Sequence, residues 1–126
     1  MVLPLELDWH LLTGDATALP AIARRLEELP PGSRTIVLVQ AEPADRRVFA
    51  GAADVDVRWF DAAEALVADL QALALPEGRG VAWGGGEASL MARVRQVLNA
   101  KGVPREATRV SAYWKQGVAE HHENLE

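Results

Sequence analysis

The stretch Thr35-Ile36-Val37-Leu38-Val39 has the composition of a β-strand that is buried on both faces. Four consecutive apolar residues follow the threonine, so the run lacks the alternation of apolar and polar residues that marks a strand with one face in water. Strands of this kind belong to parallel sheets, because helices cover both faces of those sheets. The stretch therefore predicts an α/β fold with a parallel sheet.

Short β-rich runs alternate with longer runs of helical spacing on either side of that strand, as in a parallel sheet covered by helices. We predict four further strands, at residues 9–12, 55–60, 80–83 and 108–112, and three main helices, at residues 17–29, 63–70 and 90–98. In the first helix, Arg24 and Arg25 fall on the face opposite the apolar stripe. Residues 41–53 show no sustained period and predict a loop at the carboxyl edge of the sheet. The predicted fold is a three-layer αβα sandwich with a five-stranded parallel sheet.

The composition is that of an ordinary globular protein, with 126 residues of which 49% are hydrophobic and 25% charged. A chain of this length forms one domain, which we predict to span residues 1–119. The formal net charge of −5, without a basic block, argues against nucleic acid and anionic membranes as partners. The sequence contains neither an apolar run near the roughly 20 residues of a membrane helix nor a signal peptide, so a cytoplasmic location is expected.

Neither disulfides nor a metal site is predicted. The chain has no cysteine, which excludes disulfides, thiolate ligands and a cysteine nucleophile. His121 and His122 are adjacent in a polar tail and have no second ligand cluster at metal-binding spacing. We predict that residues 120–126 form a disordered tail, in which Leu125-Glu126 resembles the scar that precedes an engineered affinity tag.

Three unusual segments follow predicted strands and should meet at the carboxyl edge of the sheet. They are Gly14-Asp15-Ala16-Thr17, Gly84-Gly85-Gly86 and Tyr113-Trp114-Lys115. Open α/β sheets bind ligands outside the carboxyl ends of their strands, at the point where the strand order reverses. A strand-to-helix turn can hold a phosphate, glycines let a ligand approach the main chain, and the last segment offers two aromatic faces and a cation. This edge is therefore the predicted binding site.

Each segment also has a purely structural interpretation. Gly14 and Asp15 are common in tight turns and helix caps, whatever the ligand. The pattern Gly84-x-Gly86-x-x-Ser89 is similar to a dinucleotide fingerprint but follows the fourth strand rather than the first, so close packing is the alternative. Tyr113-Trp114 could equally cover the end of the core.

Other catalytic classes fit the sequence poorly. Ser89 lacks the G-x-S-x-G elbow of a hydrolase, and His10 lies inside a predicted strand, where a structural role is commoner. Beyond the second strand, Glu42 would favour the ribose of NADH, whereas Arg46 and Arg47 could hold the 2′-phosphate of NADPH. Solvated loop charges are the alternative for all three, so the cofactor preference stays open.

Three stretches taken together resemble the C-terminal domain of the siderophore-interacting proteins, which are FAD-dependent ferric-siderophore reductases that use NAD(P)H. The stretches are GDATALPAIA at residues 14–23, GEAS at residues 86–89 and YWKQG at residues 113–117. The resemblance extends over residues 9–119. It implies a ferredoxin-reductase-like NAD(P)-binding domain whose partner is an N-terminal β-barrel that binds FAD. That barrel is not in the sequence, so the chain would be either a cut piece or a free-standing homologue.

The resemblance also implies roles for individual residues. Gly14, Asp15, Thr17 and Ala18 would line the pyrophosphate, whereas Gly86 and Glu87 would lie near the nicotinamide portion. Gly84 and Gly85 are further candidate cofactor-binding residues, since glycines let a ligand approach the main chain. Tyr113 and Trp114 would approach the flavin or nicotinamide ring, and Lys115 would lie near an anionic ferric siderophore. The chain departs from the family pattern at Ala16, where a glutamate is usual, and in its triple glycine, where a single glycine preceded by alanine is usual.

The predicted function is an NADPH- or NADH-binding domain that delivers hydride to FAD in the barrel for reductive release of iron. Hydride transfer requires that the nicotinamide and flavin rings be stacked. A domain that holds only one of them should therefore be catalytically silent. The alternatives are a free-standing, non-catalytic interaction or regulatory module of the same fold and an unrelated nucleotide-binding domain of flavodoxin-like topology.

Overall fold

The computed structural model describes residues 7–49 and 54–115, together with the backbone of residues 123–124. The strands are β1 (Trp9–Asp15), β2 (Arg34–Gln40), β3 (Asp54–Phe60), β4 (Gly80–Glu87), β5 (Thr108–Trp114) and β6 (Glu123–Asn124). The helices are α1 (Leu19–Glu28), α2 (Ala63–Ala72) and α3 (Ala88–Ala100). Short 3-10 turns span Ala16–Ala18, Pro43–Asp45 and Arg105–Ala107.

The strands form one sheet in the order β3-β2-β1-β4-β5-β6. Strands β1 to β5 are parallel, which confirms the predicted five-stranded parallel sheet. The two-residue β6 pairs antiparallel with β5, and it is the one described part of the predicted tail at residues 120–126. The chain runs outward from β1 to β3 and then returns to the other side of β1, so the strand order reverses between β1 and β4.

Helices cover both faces of the sheet and produce the predicted three layers. Helix α1 packs on one face with Leu12, Val37, Val39 and Trp83, and α2 and α3 pack on the other face with side chains that include Leu11 and Leu38. The side chains of residues 36–39 therefore alternate between two separate hydrophobic clusters. Burial on both faces is the reason that this strand is apolar throughout.

Three strands extend farther at their carboxyl ends than the sequence predicts. Strand β1 includes residues 13–15, β4 includes residues 84–87 and β5 includes Tyr113 and Trp114. The turn after β1 therefore begins at Ala16 rather than at Gly14, and the placement of the triple glycine and of the aromatic pair after their strands was wrong. Gly14 pairs directly with Gly85, so two glycines that are typical of turns form part of the parallel ladder.

Local features of the sequence account for ends of α1 and α3. Pro20 lies in the first turn of α1, where its missing N–H removes no helical hydrogen bond, and α1 ends just before Pro30. The Glu87 carboxylate caps α3, and Gly102 follows that helix with a φ of 85°. Of the helices in the described residues, none is long and apolar enough to cross a membrane.

Candidate functional site

The carboxyl ends of β1, β4 and β5 bring the three predicted segments together. Gly14 pairs with Gly85, Gly86 pairs with Ala112, and Glu87 lies in register with Trp114. We call this edge the switch-point rim and define it as residues 14–18, 84–89 and 113–115. The strand order reverses there between β1 and β4, which is where open α/β sheets bind their ligands.

The Asp15 carboxylate is the central polar group of the switch-point rim. It is only 5% exposed. One oxygen, Oδ1, accepts hydrogen bonds from the Thr17 hydroxyl and from the Thr17 backbone N–H, the latter at 3.0 Å. The other, Oδ2, accepts from the Glu87 backbone N–H at 2.9 Å and from Trp114 Nε1–H at 3.0 Å. These four donors fill the acceptor capacity of the carboxylate, and the bonds tie together the ends of β1, β4 and β5.

Carboxylates of the chain itself engage backbone N–H groups at both strand-to-helix junctions of the rim. Asp15 caps the 3-10 turn that leads into α1, and the Glu87 carboxylate accepts from the backbone N–H groups of Ser89 and Leu90 at 2.9 and 3.1 Å. A phosphate bound at a helix N-terminus needs free N–H donors, and these amides are already engaged. The Thr17 amide is therefore engaged within the chain, and Ala18, which was also expected at the pyrophosphate, is fully buried.

The glycines of the rim are enclosed by protein atoms. At residue 84, an added Cβ would lie 2.6 Å from Thr13 Oγ1. At residue 85 it would lie 2.8 Å from Tyr113 Cζ, and at residue 86 it would lie 2.8 Å from the Asp15 carboxylate. All three glycines are buried. Close packing thus explains why these positions lack side chains, without any ligand.

The aromatic pair divides between the core and the surface. Tyr113 is half-buried and lies edge-to-face against Trp83, with ring centroids 6.4 Å apart. The pKa of Tyr113 lies above its usual value, chiefly because of burial. The nearby Arg25 charge lowers this pKa, and the Asp15 charge raises it. Trp114 is 39% exposed at the rim. Lys115 beside it is also exposed, so these two side chains are accessible to a ligand or partner.

Arg25 was predicted on the face of α1 opposite the apolar stripe, and this prediction was wrong. Its guanidinium carbon lies 4.3 Å from the centre of the Trp83 ring, on the sheet side of α1, rather than in solvent. Its Nε has no hydrogen-bond partner in the described part of the chain, and burial lowers the pKa of the guanidinium. Arg25 follows Ile22 by three residues and precedes Leu26, so its position at the border of the apolar stripe was the available signal.

The charges beyond β2 are mostly engaged within the chain. Arg46 donates to the Ala41 carbonyl at 3.2 Å and pairs with Asp61 at 2.6 Å. Arg47 lies over the Phe49 ring at 5.5 Å, and Glu42 is exposed. An arginine that is already paired is less available to a 2′-phosphate, which affects Arg46 most.

The opposite edge of the sheet carries a cavity of about 470 Å³, lined by residues that include Trp9, Val81, Lys101 and Arg109. None of the three predicted segments reaches it, so we place the candidate site at the rim. Within residues 7–49 and 54–115, no group of three or more His, Cys, Asp or Glu side chains is arranged to hold a metal ion. His121 and His122 lie outside the described residues.

Comparisons with known proteins agree on one family. The family model for siderophore-interacting proteins matches residues 7–117. An uncharacterized protein of Mycobacterium tuberculosis is 32% identical, with 90% of this chain and 46% of the relative covered. Ferric vibriobactin reductase ViuB of Vibrio cholerae is 27% identical, with 92% and 47% covered. The chain thus spans about half the length of the curated relatives it matches.

The solved structures agree with the sequence comparisons. The crystal structure of a siderophore utilization protein from T. fusca has a TM-score of 0.84 at 31% identity, and the match covers 95% of this chain and 49% of that one. It confirms the predicted ferredoxin-reductase-like fold. Because the family model matches residues 7–117, nearly the whole chain, this chain belongs to the siderophore-interacting protein family.

Proposed function

We propose that this chain is the NAD(P)H-binding half of a flavin-dependent ferric-siderophore reductase. In the whole protein it would deliver hydride to an FAD held by an N-terminal β-barrel, which would then reduce a bound ferric siderophore. The observation that carries the proposal is the convergence of all three family-like segments on the switch-point rim. Membership of the family, the half-length match and the ferric reductase among the relatives support it.

The accessible rim residues suggest how the cofactor would be held. The nicotinamide supplies a hydride when bound, and the exposed Trp114 offers it, or the flavin, an aromatic face. Lys115 offers a cation to a phosphate or to an anionic ferric siderophore. Because the Asp15 carboxylate engages the Thr17 amide, residues 14–18 would offer the pyrophosphate fewer amide donors. The lost amide contacts predict weak binding to the isolated chain.

The chain by itself should not reduce iron. Its rim can hold one of the two rings that must stack for hydride transfer, and the flavin belongs to the other half of the whole protein. The partners that the proposal requires are therefore an FAD-binding β-barrel and, through it, a ferric siderophore. Catalytic silence of the isolated chain is an expected result.

A non-catalytic interaction or regulatory module is the second candidate. The observation that favours it is the engagement of backbone N–H groups at the rim by Asp15 and Glu87, which leaves fewer donors at the candidate site for a phosphate. Ala16 also stands where the resemblance implies a glutamate. Such a module would keep the fold and its partner while binding neither NADH nor NADPH.

Titration of the ¹⁵N-labelled chain with NADH and with NADPH separates the two candidates. The reductase proposal predicts chemical-shift changes at residues 14–18 and 84–88 and at the Trp114 indole, and the two titrations together report the cofactor preference. Trp114→Ala should weaken the binding because the ring contact is lost. Unchanged spectra with both nucleotides, or changes confined to the amino-terminal edge of the sheet, would refute the nucleotide-binding role.

A further inference from the structure

Besides capping the turn after β1, the Asp15 carboxylate accepts a hydrogen bond from the partly exposed Trp114 indole, which suggests a role other than phosphate binding. We propose that Asp15 is a positioning residue that holds the Trp114 indole in the orientation needed to contact the nicotinamide or flavin ring. The inference rests on the proposed function for the identity of that ring. The tether between Asp15 and Trp114 can be tested without any ligand.

The partial exposure of Trp114 gives a tether a role. The Trp114 side chain is 39% exposed, so packing encloses it only in part. Its Nε1–H donates to Asp15 Oδ2 at 3.0 Å, across the rim from the end of β5 to the end of β1. Hydrogen bonds to a charged acceptor are roughly twice as strong as neutral ones. This bond therefore selects one orientation of the indole.

Asp15 is itself held firmly enough to act as the anchor. Its other three hydrogen bonds come from Thr17 and from the backbone of Glu87. Gly86 leaves the space that the carboxylate occupies, because a Cβ there would lie 2.8 Å from the carboxylate. The hydrogen bonds of Asp15 thus fix the Trp114 ring relative to β1 and β4. The same arrangement explains why residue 86 is a glycine.

Indole N–H signals in ¹⁵N-labelled protein test the tether directly. Trp114→Phe identifies the Trp114 signal by its loss. In Asp15→Asn, that signal should move upfield and exchange faster with water, because the indole loses its charged acceptor. Asp45→Asn is the matched control, since it removes the same charge from an exposed side chain, and it should leave the signal unchanged. An unchanged Trp114 signal in a folded Asp15→Asn protein would overturn the proposal.

A variant that fails to fold does not end the test. If Asp15→Asn is unfolded, hydrogen exchange of the Trp114 indole in the unmodified chain decides the matter. The proposal expects its exchange to be slower than that of an exposed model indole. Exchange at the rate of the free indole would mean that no persistent bond to Asp15 exists.

A double-mutant cycle with NADH tests the positioning role. Asp15→Asn should weaken NADH binding about three- to tenfold, the usual effect of having to order one freed side chain on binding. In the Trp114→Phe background it should have little further effect, because no indole N–H remains to be held. Equal losses in both backgrounds would overturn the positioning role, whereas the absence of NADH binding to the unmodified chain would defeat the proposed function and leave the indole spectra to decide the tether.

Discussion

Replacing Gly14 with alanine tests whether this glycine is required for packing or is available to a ligand. An added Cβ would lie 2.5 Å from the Gly85 carbonyl oxygen and 2.7 Å from Ala18 Cβ. Neither neighbour can rotate away, since one is backbone of the paired strand and the other is a methyl group attached directly to the backbone. Overpacking typically costs about 1–3 kcal/mol, and we expect about 3 kcal/mol here because paired strands must separate.

Urea unfolding followed by tryptophan fluorescence measures this loss, and Gly32→Ala provides a matched control. Gly32 has a φ of 82° and no atom within 4 Å of an added Cβ. Its replacement should cost only the penalty of a left-handed conformation, about 1–2 kcal/mol. If Gly14→Ala destabilises the chain no more than Gly32→Ala does, Gly14 is not a packing residue and the ligand interpretation of the turn regains its support.

Three further predictions follow from burial and capping. Burial lowers the pKa of His10 from 6.5, so just below that pH the unfolded chain binds more protons than the folded chain does. The free energy of unfolding, measured in urea, should therefore fall as the pH drops below about 6.5. His10→Leu should flatten this dependence. Trp83→Ala should lower the free energy of unfolding by about 3–5 kcal/mol because its ring is buried. Trp114→Ala should lower it by about 1.5–3 kcal/mol, chiefly through loss of the hydrogen bond to a charged acceptor. Equal losses in the two variants would contradict this difference. Glu87→Ala should cost about 1 kcal/mol by removing the cap of α3, and an unchanged midpoint of unfolding would show that the cap contributes nothing.

The pattern of apolar residues predicted the fold because that pattern is local. The run at residues 35–39 identified a strand buried on both faces, and the helical spacing of the segments around it predicted which strands are followed by helices. The three stretches at residues 14–23, 86–89 and 113–117 identified the family and the edge of the sheet at which they meet. These conclusions need only the order of residue types along the chain and the periods of helices and strands.

The ends of the strands were predicted poorly because their pairing is not local. Gly14 and Gly85 each resemble turn residues, yet they pair with one another from strands that are 71 positions apart in the sequence. A glycine in a strand is stabilised by its partner strand, which its own neighbours do not reveal. The side of α1 that carries Arg25 was missed for a similar reason, since the Trp83 ring that receives the guanidinium comes from another strand.

The sequence by itself determined the α/β class, the order of the elements, the family and the location of the candidate site at the carboxyl rim. Only the tertiary structure decided what the residues of that rim do. In the folded chain, the Asp15 carboxylate accepts hydrogen bonds from four donors in three chain segments. Glu87 caps α3, and the glycines allow close packing. A hydrogen-bond acceptor can bind only a limited number of donors. Whether those donors come from the chain or from a ligand depends on groups that come close only when the chain folds.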